Sequence, residues 1–102
     1  MGSGLAEIPG MTIRVLVHPR VKDDLAAAAY YYDRRLPGLG KVVIDQMTRL
    51  LTRIRHYPLA YPRVRYNVRR AAVAGLDAEL LYLHENGQII LLAVVQAKDR
   101  HH

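Results

Sequence analysis

The sequence predicts one α+β domain in the order β-α-α-β-β-β. Three observations carry this. Thr12 to His18 alternates apolar and polar residues; two segments of helical spacing follow, joined at Pro37-Gly38; and the last third of the chain alternates or is apolar throughout, with Asn86-Gly87 inside it.

In the first strand Ile13, Val15 and Val17 share one face, and Arg14, Leu16 and His18 the other. Pro19 then opens a helix in the first turn, where its missing N–H has no intrahelical partner to lose. Val21, Leu25, Ala28, Ala29 and Tyr32 recur at helical spacing. Asp23 and Asp24 are expected in the first turn and Arg34 and Arg35 in the last, matching the helix dipole. Pro37-Gly38 ends that helix, and a second is expected from about Leu39 to His56. Its buried stripe is Val43, Met47, Leu50, Leu51 and Ile54, with Arg49, Arg53 and Arg55 in solvent. So short a connection makes the helices an antiparallel hairpin.

Pro58 and Pro62 bound a loop with Tyr57 and Tyr61. Val64, Tyr66 and Val68 then alternate with Arg63, Arg65, Asn67 and Arg69 as one strand, which Ala71 to Ala74 extend or follow after a kink. Leu80 to His84 is the next strand. Asn86-Gly87 signals a two-residue hairpin turn that needs positive φ at both positions. Gln88 to Gln96 is apolar on both faces and belongs at the sheet centre. The three later strands form an antiparallel run that completes a twisted sheet, covered on one side by the helices.

The length of 102 residues fits one domain. Residues 1–10, with Gly2-Ser3-Gly4, read as an expression leader or a loose arm. The domain is expected over 11–100, with His101-His102 as a tail or tag remnant. There is no cysteine, which excludes disulfide frameworks and thiolate metal sites. No apolar run nears the roughly 18 residues of a membrane span. The net charge of +6 and pI near 10 suit an acidic partner, or simple solubility.

Metal-free RNA cleavage needs a base, a cation for the phosphorane charge and an acid for the leaving oxygen. The cations on offer are Arg63, Arg65, Arg69, Arg70, Lys98 and Arg100; Tyr82, His84, Glu85 and the terminal histidines are the acids and bases. His18 and His84 show no ligand spacing, so neither a metal site nor a cofactor is expected. Tyr30, Tyr31 and Tyr32 cannot all face one core, since neighbours on a helix stand about 100° apart. One at least is exposed, through ordinary amphipathic packing or as an anchor for a partner. Arg63, Arg65 and Arg69 either line a charged sheet edge or form a basic groove.

Several motifs in this order resemble the ParE/RelE toxin superfamily from about Ile13 to Arg100. They are Asp24-Leu25, Tyr30-Tyr31-Tyr32, Leu36-Pro37-Gly38-Leu39-Gly40, Tyr57-Pro58, Tyr61-Pro62, Arg69-Arg70 with Val73 behind, Tyr82, and Leu92-Ala93-Val94. The turn motif favours the ParE branch. There are departures. Leu76-Asp77-Ala78 stands where ParE-type chains read Phe-Pro-Tyr, and Gln96 stands where many carry histidine. Glu79 and Lys98 stand where ribonuclease members place arginine, and no tyrosine follows Tyr82.

The resemblance implies the toxin of a type II toxin–antitoxin system, cytoplasmic and associated with plasmid stabilisation. It implies inhibition of DNA gyrase by binding, without catalytic residues, and neutralisation by an antitoxin in a hetero-oligomer. Tyr30, Tyr31, Arg34, Arg63, Arg65 and Arg69 are the expected antitoxin contacts; Arg70, Lys98 and Arg100 are candidates for the target. The alternatives are a RelE-type mRNA interferase on the ribosome, which would be a metal-independent endoribonuclease, and a non-toxic member that keeps only antitoxin binding.

Overall fold

A computed structural model describes residues 4–8 and 13–96. The elements are β1 (Ala6–Glu7), β2 (Arg14–Val17), α1 (Pro19–Arg35), α2 (Leu39–His56), β3 (Arg63–Arg65), β4 (Val68–Ala72), β5 (Ala78–Glu85) and β6 (Gln88–Gln96). They form two helices on a six-stranded mixed sheet of order β1-β2-β6-β5-β4-β3. Only β2 and β6 run parallel. Among the described residues no helix is long and apolar enough to cross a membrane.

Both helices fall where their spacing puts them. His18 caps α1 by accepting the Arg20 N–H at Nδ1, 3.1 Å away. Arg34 and Arg35 occupy its last turn, but Asp23 and Asp24 lie beyond its first turn, because the helix already begins at Pro19. The α1–α2 turn explains its motif. Gly38 has φ 92°, and a Cβ on Gly40 would stand 2.8 Å from the Ala29 carbonyl oxygen. Asp33 Oδ1 accepts the Gly38 and Gly40 N–H groups at 2.9 and 3.1 Å. The α2 stripe is buried at Val43, Met47, Leu50 and Ile54, with Leu51 half-buried. Arg49 and Arg53 are exposed as expected, whereas Arg55 is half-buried and its Nε is sequestered without a partner.

The helix-covered face of the sheet contributes Val15, Ile89, Leu91, Val94, Leu80, Tyr82 and Ala71 to the core. β6 lies inside the sheet and is apolar on both faces, as its composition requires. Its pairing with β5 shifts at Leu81/Tyr82, leaving Leu92 as an extra residue. The burial parity changes there: Ile89 and Leu91 face the core before the bulge, Val94 after it. Asn86 and Gly87 have φ 53° and 72°, the turn expected between β5 and β6.

The segment after α2 differs from its expected form. Arg63 to Arg69 is not one strand but a hairpin, β3–β4, turning at Tyr66 and Asn67. Tyr66 takes φ 52° and is 79% exposed, and Val64 is 54% exposed, so neither points inward. Alternation over seven residues fits two short strands as well as one. The Tyr66-Asn67 turn lacks the glycine that marks the other hairpin. With β1 added before the expected first strand, the sheet has six strands instead of four.

Candidate partner interface

The C-terminal half of α1 carries two matched pairs, each of a tyrosine and an arginine four residues on. Arg34 Nη1 donates to Tyr30 Oη at 3.2 Å, and its guanidinium sits 5.7 Å from the Tyr30 ring centre. Arg35 hydrogen-bonds Tyr31 Oη in the same way, with 5.0 Å from guanidinium to ring. Tyr30 is 64% exposed and Tyr31 38%. Tyr32 turns the other way. Its hydroxyl accepts the Asp77 N–H at 2.9 Å, tying α1 to the β4–β5 turn. The exposed aromatics are therefore Tyr30 and Tyr31, braced by arginines, while Tyr32 belongs to the fold.

Beside this face opens a cleft of about 540 Å³, lined by Tyr31, Tyr32, Arg35, Gly75, Leu76, Asp77 and Gln96. Two of the sequence departures, Leu76-Asp77 and Gln96, meet in its wall. A smaller apolar groove of about 290 Å³ lies where α1 and α2 meet the sheet, among Ile8, Leu25, Ile44 and Leu51.

The arginines expected to act together are divided. Arg63 and Arg65 are exposed on β3, and the Arg65 guanidinium stacks 5.5 Å from the Tyr66 ring. Arg69 faces Arg63 across the ladder but is half-buried. Its Nη1 donates to the carbonyls of Tyr61 (2.6 Å) and Leu59 (3.4 Å), so it holds the loop after α2. Tyr82 holds the same loop, donating to the Pro58 carbonyl at 2.6 Å with its ring edge-on to Tyr61. Burial pushes the Tyr82 hydroxyl up to about 12, with a smaller raising effect from Tyr61 and an opposing one from Arg69. Tyr57, Leu59 and Tyr66, all more than half exposed, stand around this loop and hairpin. Neither Arg35, whose spacing from Tyr31 was legible, nor Tyr66, an alternating position of the expected strand, was among the expected contacts.

Tyr31 lines the cleft at the β4–β5 turn, with Tyr30 one residue before it on α1, and Arg65 and Tyr66 sit at the other end of β4. The two groups of expected contacts therefore occupy different ends of the sheet. Arg70 lies on the face away from the helices, where its Nε is 3.6 Å from Glu79 Oε2. Lys98 and Arg100 lie outside the described residues. Among the described residues no three histidine, aspartate or glutamate side chains cluster as metal ligands would.

No protein-family model and no curated protein matches the sequence. A solved structure does match, described as the chromosomal ParDE TA system from P. aeruginosa. The TM-score is 0.69 at 12% identity, over 78% of this chain and 90% of that one. At that identity what is shared is the fold, and the ParE-like fold expected from the residues is present.

Proposed function

We propose that this chain is the toxin of a type II toxin–antitoxin pair, ParE-like in action. It arrests DNA gyrase by binding and is held inactive by a cognate antitoxin in the cytoplasm. The observation that carries this reading is the fold shared with a chain of the ParDE system over 90% of that chain's length.

The antitoxin contacts follow from surface chemistry. Tyr30 and Tyr31 are stiff aromatic anchors beside the cations of Arg34 and Arg35, suited to an acidic, apolar helix lying across the α1–α2 hairpin. Arg63 and Arg65 supply exposed positive charge at the sheet edge, while Arg69 serves the loop beneath. Arg70, with Lys98 and Arg100, remains the candidate set for the target. The Arg70–Glu79 pair supports inhibition by binding over RNA cleavage, because Glu79 places a carboxylate where phosphate would need a cation.

The test is controlled expression in bacteria, with supercoiling by purified gyrase assayed in parallel. Growth arrest with a DNA-damage response and loss of supercoiling is the expected result. Cleavage of mRNA in the ribosomal A site would replace this reading with a RelE-type interferase. A folded chain that slows neither growth nor gyrase would identify a member that only binds antitoxin.

A further inference from the structure

The surplus of positive charge is gathered in one segment. Between Asp45 and Asp77 the chain carries seven arginines and no acidic residue, and the rest of it sums to one negative charge. This segment folds as the later part of α2, the loop after it and the β3–β4 hairpin. Arg49 and Arg53 stand one turn apart on α2, both exposed, with His56 and Tyr57 at its end. The loop over 57–62 returns the chain to Arg63 and Arg65, which are exposed as well. Among the described residues every ion pair uses another cation: Arg14, Arg20, Lys41 or Arg70.

Complementarity to the helix dipole accounts for Arg53, and protection of a sheet edge accounts for Arg63 and Arg65. Neither accounts for the two tyrosines set among them. Tyr57 is 67% exposed and Tyr66 79%. Tyr66 holds φ 52°, a conformation that asparagine or glycine adopts at lower cost, and it buries little in return. The Arg65 guanidinium lies over its ring, 5.5 Å from the centre. The His56 ring lies 6.2 Å from that of Tyr57. Tyr82 and Arg69 brace the loop through the Pro58 and Tyr61 carbonyls, so the display is fixed before a partner arrives.

We propose that this end of the molecule binds single-stranded nucleic acid, with the arginines on phosphates and Tyr57 and Tyr66 stacked on bases. Exposed rings among guanidinium groups are what a polyanion with stackable bases requires. A duplex hides the faces of its bases, so the rings suit a single strand. An acidic peptide would meet the cations without needing the rings, and β3 offers only a three-residue edge for strand addition. The same charge still steers an acidic antitoxin from a distance. The inference does not depend on the toxin reading.

The test is fluorescence anisotropy of the full chain with labelled oligouridylate and oligothymidylate of about 12 nucleotides. Salt is varied from about 50 to about 200 mM. Arg49, Arg53, Arg63 and Arg65 on phosphates, at about 0.7 each, give a log–log slope of about −2.8, so affinity should fall about fiftyfold over that range. Arg63→Gln and Arg65→Gln should each flatten the slope by about 0.7. Tyr66→Asn suits the turn and should keep the circular dichroism of the wild type, yet weaken binding about tenfold with the slope unchanged. Tyr57→Ala should do the same, and Tyr66→Phe should bind like wild type. Binding of either strand supports the proposal, and the tighter one names its source as RNA or DNA. No binding at about 100 µM chain in the lower salt overturns it. So does tighter binding of a duplex of the same length. Full affinity in Tyr66→Asn and Tyr57→Ala, with displacement by an oligoglutamate of equal charge, also overturns it and assigns this end to an acidic protein.

Discussion

Asp24 Oδ2 accepts the backbone N–H of Val94 at 3.0 Å, joining the first helix to the last strand. The reason lies in the path of the chain. β2 pairs with β6 only as far as Val17 opposite Leu91, and His18 adds one bond to the Leu91 carbonyl before the chain turns into α1. Beyond Leu91 this edge of β6 has lost its neighbour, and an unpaired N–H there would be costly. The Asp24 carboxylate takes the place of the missing strand and also receives Arg20 Nε at 3.3 Å.

Asp24→Ala should therefore destabilise the fold by about 1–3 kcal/mol, since it leaves the Val94 N–H without its acceptor. Asp24→Asn, which keeps an oxygen, should cost less. Urea unfolding of both variants measures this. Equal stability of Asp24→Ala and wild type would mean that water satisfies Val94 just as well.

Two substitutions test the packing of the helices. Leu50 is fully buried, and Leu50→Ala should cost about 2–5 kcal/mol. Gly40→Ala should cost about 1–3 kcal/mol, because its methyl would press on the Ala29 carbonyl and force the helices apart. Thermal unfolding reads both. A neutral Gly40→Ala would show that the hairpin opens without penalty.

The Tyr82 hydroxyl makes stability depend on alkaline pH. Its folded pKa, about 12, lies above the ordinary tyrosine value of 10, so the folded state holds the proton more tightly. That contribution is complete below pH about 10 and is lost as pH rises through about 12. The stability gap between wild type and Tyr82→Phe should therefore narrow across this window. A gap constant from pH 8 to 12 would place the ionisation elsewhere.

Binding of the antitoxin should separate charge from anchorage. Arg63→Glu should slow association and reduce its salt dependence with little change in dissociation, because rim charge acts through steering. Tyr30→Ala should speed dissociation several-fold, as loss of an aromatic anchor does. Stopped-flow binding at two salt concentrations distinguishes them. Association indifferent to both salt and Arg63 would remove the steering role.

The sequence alone determined the elements whose signals are local. Helix spacing and the Pro37-Gly38 break placed α1 and α2, and Asn86-Gly87 placed the β5–β6 hairpin, because each depends on residues within a few positions of one another. The exposure of at least one tyrosine in Tyr30 to Tyr32 was legible for the same reason. Tertiary structure decided the rest. Arg69 reads as one more exposed cation until the loop folded over it offers the Tyr61 and Leu59 carbonyls. Tyr66 reads as one more alternating position of a single strand, because a period of two does not show where a strand reverses. The role of Asp24 needs a partner 70 residues away, and only the chain's exit from the sheet after Val17 leaves that partner unpaired. The order of the six strands is likewise assembled from pairings that no single segment encodes.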